Sequence, residues 1–177
     1  MVTSVINLFG GPGSGCSTMR ARIFSELKYK QINCEEVLEY VKEIIYDESS
    51  KKIDNEILIF GHQYHKMKRL NEDVDVIVTD GPLVHSAFYS QNSSQIFQDL
   101  VLEEFHKFKN YNFFLDRNHP YSEVGRIQDE SEADRISENL KSYLERNKIT
   151  FSTIYSSPHK ASEIGELVQN SLKKQNL

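Results

Sequence analysis

The stretch Val5–Thr18, VINLFGGPGSGCST, constrains this chain more than any other. A short apolar run reads as a buried strand. Glycines follow, and Ser17-Thr18 opens a segment in which Met19, Ile23 and Leu27 share one helical face. Strand, glycine loop and helix in that order are the layout of a phosphate-binding loop, G-x-x-x-x-G-K-[S/T]. Gly10 and Gly15 have the required spacing and Ser17 is in place, but the lysine position holds Cys16.

The rest of the chain repeats the alternation. Val2–Phe9 is predicted as a strand and Ser17–Lys30 as a helix. An extended piece at Ile32–Val37 leads to a helix near Tyr40–Asp47. Asp54 is predicted to cap a helix over Asn55–Leu70, where Ile57, Phe60, Tyr64 and Met67 recur at helical spacing. Val74–Thr79, VDVIVT, is short and β-branched and reads as a central strand. A helix over Ser94–Lys109, a strand over Tyr111–Leu115, a charged helix over Ser131–Lys148, a strand over Phe151–Tyr155 and a helix over Ala161–Lys174 complete the pattern. Such alternation implies a parallel sheet covered on both faces, in one domain spanning residues 1–177.

Composition narrows the function classes. Hydrophobic residues are 38% of the chain and charged residues 27%, which fits a globular protein and not a disordered one. A net charge of −5 argues against a basic face dedicated to nucleic acid, and so against a polynucleotide acceptor. No apolar stretch approaches the roughly 20 residues that cross a bilayer, and no signal peptide is evident at residues 1–9. The expectation is a cytoplasmic protein without membrane partners; its oligomeric state is not readable. Cys16 and Cys34 form neither a metal spacing nor a disulfide framework. His62 and His65 share a helix face without a third ligand and read as surface histidines, while His85, His106, His119 and His159 are scattered.

Ligands of parallel sheets bind outside the carboxyl ends of the strands. Those ends read GGPGSGCS, then Glu39, then TDGP, then DRNHPYSEVGR. In the first, Gly10, Gly11, Gly13 and Gly15 allow main-chain N–H groups to converge on phosphate oxygens, with Ser14, Cys16 and Thr18 flanking. Ser17 is positioned to hold Mg²⁺ through its hydroxyl. A glycine-rich turn that binds nothing is the alternative.

The series GGPGSGCST, Glu39-Tyr40, ILIFGHQYHKMKRL, VDVIVTDGPL and NFFLDRNHPYSEVGRIQDESEA resembles the small P-loop nucleoside and nucleotide kinase-like proteins, including phage-encoded members and ribosylnicotinamide-kinase-like ATPases. The resemblance runs from residue 4 to about residue 155. It implies a three-layer α/β P-loop NTPase fold, a five-stranded parallel sheet of order 2-3-1-4-5 and a lid after the fourth strand, at about residues 116–135. It also implies ATP or another nucleoside triphosphate, Mg²⁺ and a small-molecule acceptor. By the same resemblance Asp80 orients Mg²⁺ or its waters, Glu39 takes the proton of the acceptor hydroxyl and Gln63 meets a base or sugar. Arg117 and Arg126 close over phosphates. Each has a plainer alternative: Asp80 as a turn cap, Glu39 as a solvated helix-start carboxylate, Gln63 as an ordinary helix residue, Arg117 as an ion-pair partner of Asp116 or Glu123.

Cys16 departs from that pattern. The lysine normally reaches the β- and γ-phosphates as a point charge, and losing such a charge costs about 10²–10³ in rate. Two outcomes stay open. Either Arg20, Arg117 or Arg126 replaces the charge in an active kinase, or the pocket binds a nucleotide without catalysis, as a pseudokinase.

Overall fold

The structure, a computed structural model, describes residues 3–47, 54–90, 94–122 and 128–175. Strand β1 (Ser4–Phe9) is buried along its whole length because it lies at the centre of the sheet. It pairs in parallel with β3 (Val76–Thr79) on one side and β4 (Lys109–Asp116) on the other. β2 (Cys34–Val37) extends the sheet beyond β3, and β5 (Ser152–Tyr155) extends it beyond β4. The result is a five-stranded parallel sheet in the order β2-β3-β1-β4-β5, as expected.

Side chains alternate across this sheet into two cores. Ile6 and Leu8 of β1, with Val76, Val78 and Leu115, face α1 (Cys16–Tyr29) and α7 (Pro158–Gln175), meeting Met19, Ile23, Leu27, Ile164 and Val168. Val5 and Phe9, with Ile77 and Phe114, face the opposite layer. There α3 (Glu56–Lys68), α4 (Val84–Tyr89), α5 (Gln95–His106) and α6 (Glu130–Arg146) contribute Met67, Phe88, Phe105 and Tyr143. The short α2 (Tyr40–Tyr46) follows β2 and packs against α3. No helix among the described residues is long and apolar enough to cross a membrane.

The expected elements are present with four differences of detail. Asn55, not Asp54, caps α3, its side chain accepting from the Leu58 N–H at 3.0 Å. The helix expected to reach Lys109 stops at His106, because Asn110 donates to the carbonyls of Phe105 (2.8 Å) and Phe108 (3.0 Å) and starts β4 early. α7 begins at Pro158, where proline suits the first helical position and the Ser157 hydroxyl accepts from the Lys160 N–H at 3.1 Å. Helix α4 was not anticipated, since its six residues follow Gly81-Pro82 and are too few for a periodic signal. Val2, at the start of the predicted first strand, lies outside the described residues.

Phe114 is fully buried between the sheet and the larger helical layer. Phe114→Ala should lower the free energy of unfolding by about 3–5 kcal/mol in denaturant titrations. A loss below about 1 kcal/mol would mean that this layer is not a packed core.

Candidate phosphate-binding site

The loop after β1 is held open by backbone conformation. Gly15 has φ 95°, in the left-handed region, and a Cβ there would sit 3.0 Å from the Ser156 Cβ. Any other residue at this position is therefore both strained and crowded. The Gly15 carbonyl accepts the first helical bond of α1, from the Met19 N–H at 3.0 Å, and no side chain caps the helix. The first N–H groups of α1 thus face the cavity without a side-chain partner, the arrangement that attracts anions.

The second wall is a braced elbow between β2 and α2. Asp80, at the end of β3, accepts from the Glu39 N–H at 3.2 Å through Oδ1. Gln63 of α3 accepts from the Tyr40 N–H at 3.1 Å and donates to the Gly81 carbonyl at 2.8 Å. Gly81 makes this close approach feasible, since a Cβ there would lie 2.8 Å from the Glu39 Cα. Below it the Thr79 hydroxyl donates to the Val37 carbonyl at 2.8 Å and accepts from the Gly81 N–H at 3.0 Å. These bonds tie the ends of β2 and β3 together and fix where Glu39 points.

Loop and elbow enclose a cavity of about 590 Å³. The glycine loop, Cys16, Ser17 and Thr18 line one end; Glu39, Gln63, Asp80, His85 and Tyr89 line the other. Tyr40, Ile45, Tyr46 and Ile59 supply apolar surface to the wall.

Residues 5–161 match the protein family described as AAA domain. The chain belongs to that family. No curated protein matches it. Two solved structures resemble the fold: NadR protein in complex with NAD and AMP-PNP, at 15% identity and a TM-score of 0.68, covering 94% of this chain and 50% of that one; and NadR protein in complex with NR, at 15% identity and a TM-score of 0.65, covering 93% and 51%. The chain spans about half the length of these structures. At such identity the likeness establishes the α/β P-loop NTPase fold.

Within this AAA domain, the expected site residues separate into groups. Gly11, Gly13, Ser14, Gly15, Cys16, Ser17, Thr18, Glu39, Gln63 and Asp80 all line the one cavity. Gln63 is buried, with both ends of its amide engaged by backbone. It braces the elbow while lining the cavity. Arg117 does not line the cavity: its guanidinium pairs with Glu130 at 3.1 Å and with Asp134, and lies 5.0 Å from the Tyr121 ring. Its partners among the described residues are thus on α6 and not Asp116; Glu123, the other alternative, lies outside the described residues. Asp116 instead pairs with Lys141 at 3.2 Å. Arg20 is buried behind the loop, paired with Glu36 and 3.2 Å from Asp80 Oδ1, so it does not face the cavity as a free charge. Arg126 lies outside the described residues, as does part of the expected lid.

Cys16 is neutral here. Desolvation of the thiol pushes it up to about 12; the Ser14 hydroxyl, 3.3 Å from Sγ, works in the opposite direction, and the carboxylates of Asp80 and Glu39 add to the rise. It also packs against the core beneath α1. The side chain at the position where the loop pattern has lysine therefore supplies neither reach nor charge.

Two hard oxygen donors suit Mg²⁺. Ser17 is at the head of α1, and both contacts of Asp80 fall on Oδ1, leaving Oδ2 without a partner among the described residues. A magnesium ion needs only one or two such protein ligands beside phosphate oxygens and water. No cluster of three or more His, Cys, Asp or Glu suited to a metal occurs among the described residues, so the phosphates would complete the coordination.

Sequence reasoning missed two cavity residues. His85, dismissed as scattered, lies with Nδ1 3.7 Å from Glu39 Oε1 and its ring edge-on to Phe9. It could not be placed because helix α4, which carries it, was not expected. Lys42, one helical turn beyond Glu39, donates to the Ser17 hydroxyl at 3.1 Å. Its only signal was that spacing from Glu39.

A thiol with a pKa near 12 alkylates faster with every pH step across the ordinary range. For native protein, peptide-level mass spectrometry should show Cys16 modification by iodoacetamide rising about tenfold per pH unit from 7 to 10, without levelling. A plateau near pH 9, as for an ordinary thiol, would contradict the neutral assignment.

Proposed function

We propose that the chain is an ATP- and Mg²⁺-dependent phosphotransferase acting on the hydroxyl of a nucleoside, nucleotide or nucleotide-like acceptor. One observation carries this reading: a single cavity has an uncapped glycine loop with Ser17 at one end and the Glu39–His85 pair, with Asp80 beside it, at the other. A phosphate donor and a hydroxyl acceptor need such opposed ends. The bound molecules of the two NadR structures, AMP-PNP and NR among them, fit the same division into donor and acceptor. The free thiols of Cys16 and Cys34 suit a reducing, cytoplasmic setting.

In this mechanism the main-chain N–H groups of residues 13–17 hold the β-phosphate, and the head of α1 adds its dipole. Ser17 and Asp80 would hold Mg²⁺, which when bound neutralises charge on the transferring phosphoryl group. Glu39 accepts the proton of the acceptor hydroxyl as that oxygen attacks the γ-phosphorus, while the bond from the γ-phosphorus to the bridging oxygen breaks and ADP leaves. His85, beside Glu39, orients that carboxylate. The tyrosine rings of Tyr46 and Tyr89 on the cavity wall offer apolar surface to a heterocyclic acceptor. Arg117 and Arg126 belong to the segment after β4 that would close over the phosphates.

Cys16 favours a second reading, in which the domain binds nucleotide without turnover. A neutral thiol at the lysine position removes one stabiliser of the transition state while leaving the backbone cradle intact.

Phosphotransfer from Mg²⁺-ATP to a panel of nucleosides and nucleotides separates the two. Glu39→Gln should lower kcat about 10²–10³-fold with nucleotide affinity nearly unchanged, and Cys16→Lys should keep or raise turnover. Wild type and Cys16→Lys both inactive on every acceptor, while both bind nucleotide, would overturn the phosphotransferase reading in favour of the binder.

A further inference from the structure

The cavity wall carries a cation at an unexpected place. Its acidic lining, Glu39, Asp54, Glu56 and Asp80, repels a polyphosphate, and Lys42 is the one lysine or arginine lining it among the described residues. Arg20, which stands nearby, is already paired with Glu36 and Asp80. The ammonium of Lys42 reaches across from α2 to the hydroxyl of Ser17, the residue directly after the one where the lysine is missing.

Lys42 forms no ion pair among the described residues. The nearest acid on its own helix, Glu43, is occupied by Lys66, whose ammonium also lies 5.2 Å from the Tyr40 ring. A surface lysine that serves solubility alone has no reason to turn inward to a neutral hydroxyl. This one points its charge at the head of α1, where the phosphate chain of a bound nucleotide would end.

We propose that Lys42 is the ligand of the β- and γ-phosphates, supplying from α2 the charge that Cys16 cannot supply from the loop. The assignment rests on the phosphotransferase reading above only in taking a nucleoside triphosphate as the ligand. A lysine stem is long and flexible, so the ammonium can leave Ser17 and follow the phosphate oxygens when Ser17 turns to Mg²⁺.

The test is a ladder of ligands, adenosine, AMP, ADP and ATP, titrated calorimetrically with Mg²⁺ against wild type, Lys42→Met and Lys42→Arg. Lys42 is exposed, so both variants should fold with unchanged thermal stability. Lys42→Met should leave adenosine and AMP binding nearly unchanged and weaken ATP about 10- to 100-fold, the range of a lost charged contact. Lys42→Arg should retain most of the ATP affinity. Lys42→Met that keeps the wild-type preference for ATP, or that weakens every ligand equally, would overturn the assignment while leaving the nucleotide reading intact. A wild type that binds ATP no more tightly than adenosine would overturn the nucleotide reading itself, and Lys42 with it.

Discussion

The carboxylate of Asp80 is the constraint on which the site depends. It lies at the end of β3, almost wholly buried, and its Oδ1 both receives the Glu39 N–H and faces the Arg20 guanidinium, each at 3.2 Å. Burying a carboxylate is tolerable only when such partners replace its water, and removing one partner from a pair of this kind typically costs about 3–5 kcal/mol. By holding the Glu39 backbone, Asp80 places that acidic side chain on the cavity wall; by facing Arg20, it braces the first turns of α1. Gln63 duplicates the first of these roles through Tyr40 and Gly81.

The loop keeps its shape with a cysteine at the lysine position of the pattern. A phosphate cradle made of main-chain N–H groups depends on backbone shape, and here the shape comes from Gly15, from the packing of α1 against the sheet and from the contact of Gly11 with α6. Cys16 contributes by packing against the core below α1 and needs no charge to do so. The electrostatic duty of the missing lysine is separable from its position in the sequence. In the proposed assignment, Lys42 of the facing helix would meet the same phosphates from another direction.

Most of the fold was legible because the strands are short, apolar and evenly separated by amphipathic helices. The glycine loop, Asp80 and Glu39 were legible because they stand at strand ends, where parallel sheets bind ligands. The sequence misled where local spacing hides a tertiary role. Gln63, read as a residue that meets a ligand, also bridges two backbone groups that only the fold brings together. Arg20, offered as a compensating charge, is held behind the loop by acids on β2 and at the end of β3. His85 and Lys42 left no periodic trace: one lies on a six-residue helix, the other on a seven-residue helix, and both line the cavity.

The central claim is that backbone geometry alone still forms a phosphate cradle at the lysine-free loop. The most direct measurement is a crystal structure of the full chain with a non-hydrolysable ATP analogue and Mg²⁺. The β-phosphate should lie about 2.7–3.2 Å from main-chain nitrogens of residues 13–17, with the thiol of Cys16 turned to the core. A loop left empty at saturating nucleotide, or a triphosphate bound elsewhere on the chain, would contradict the account.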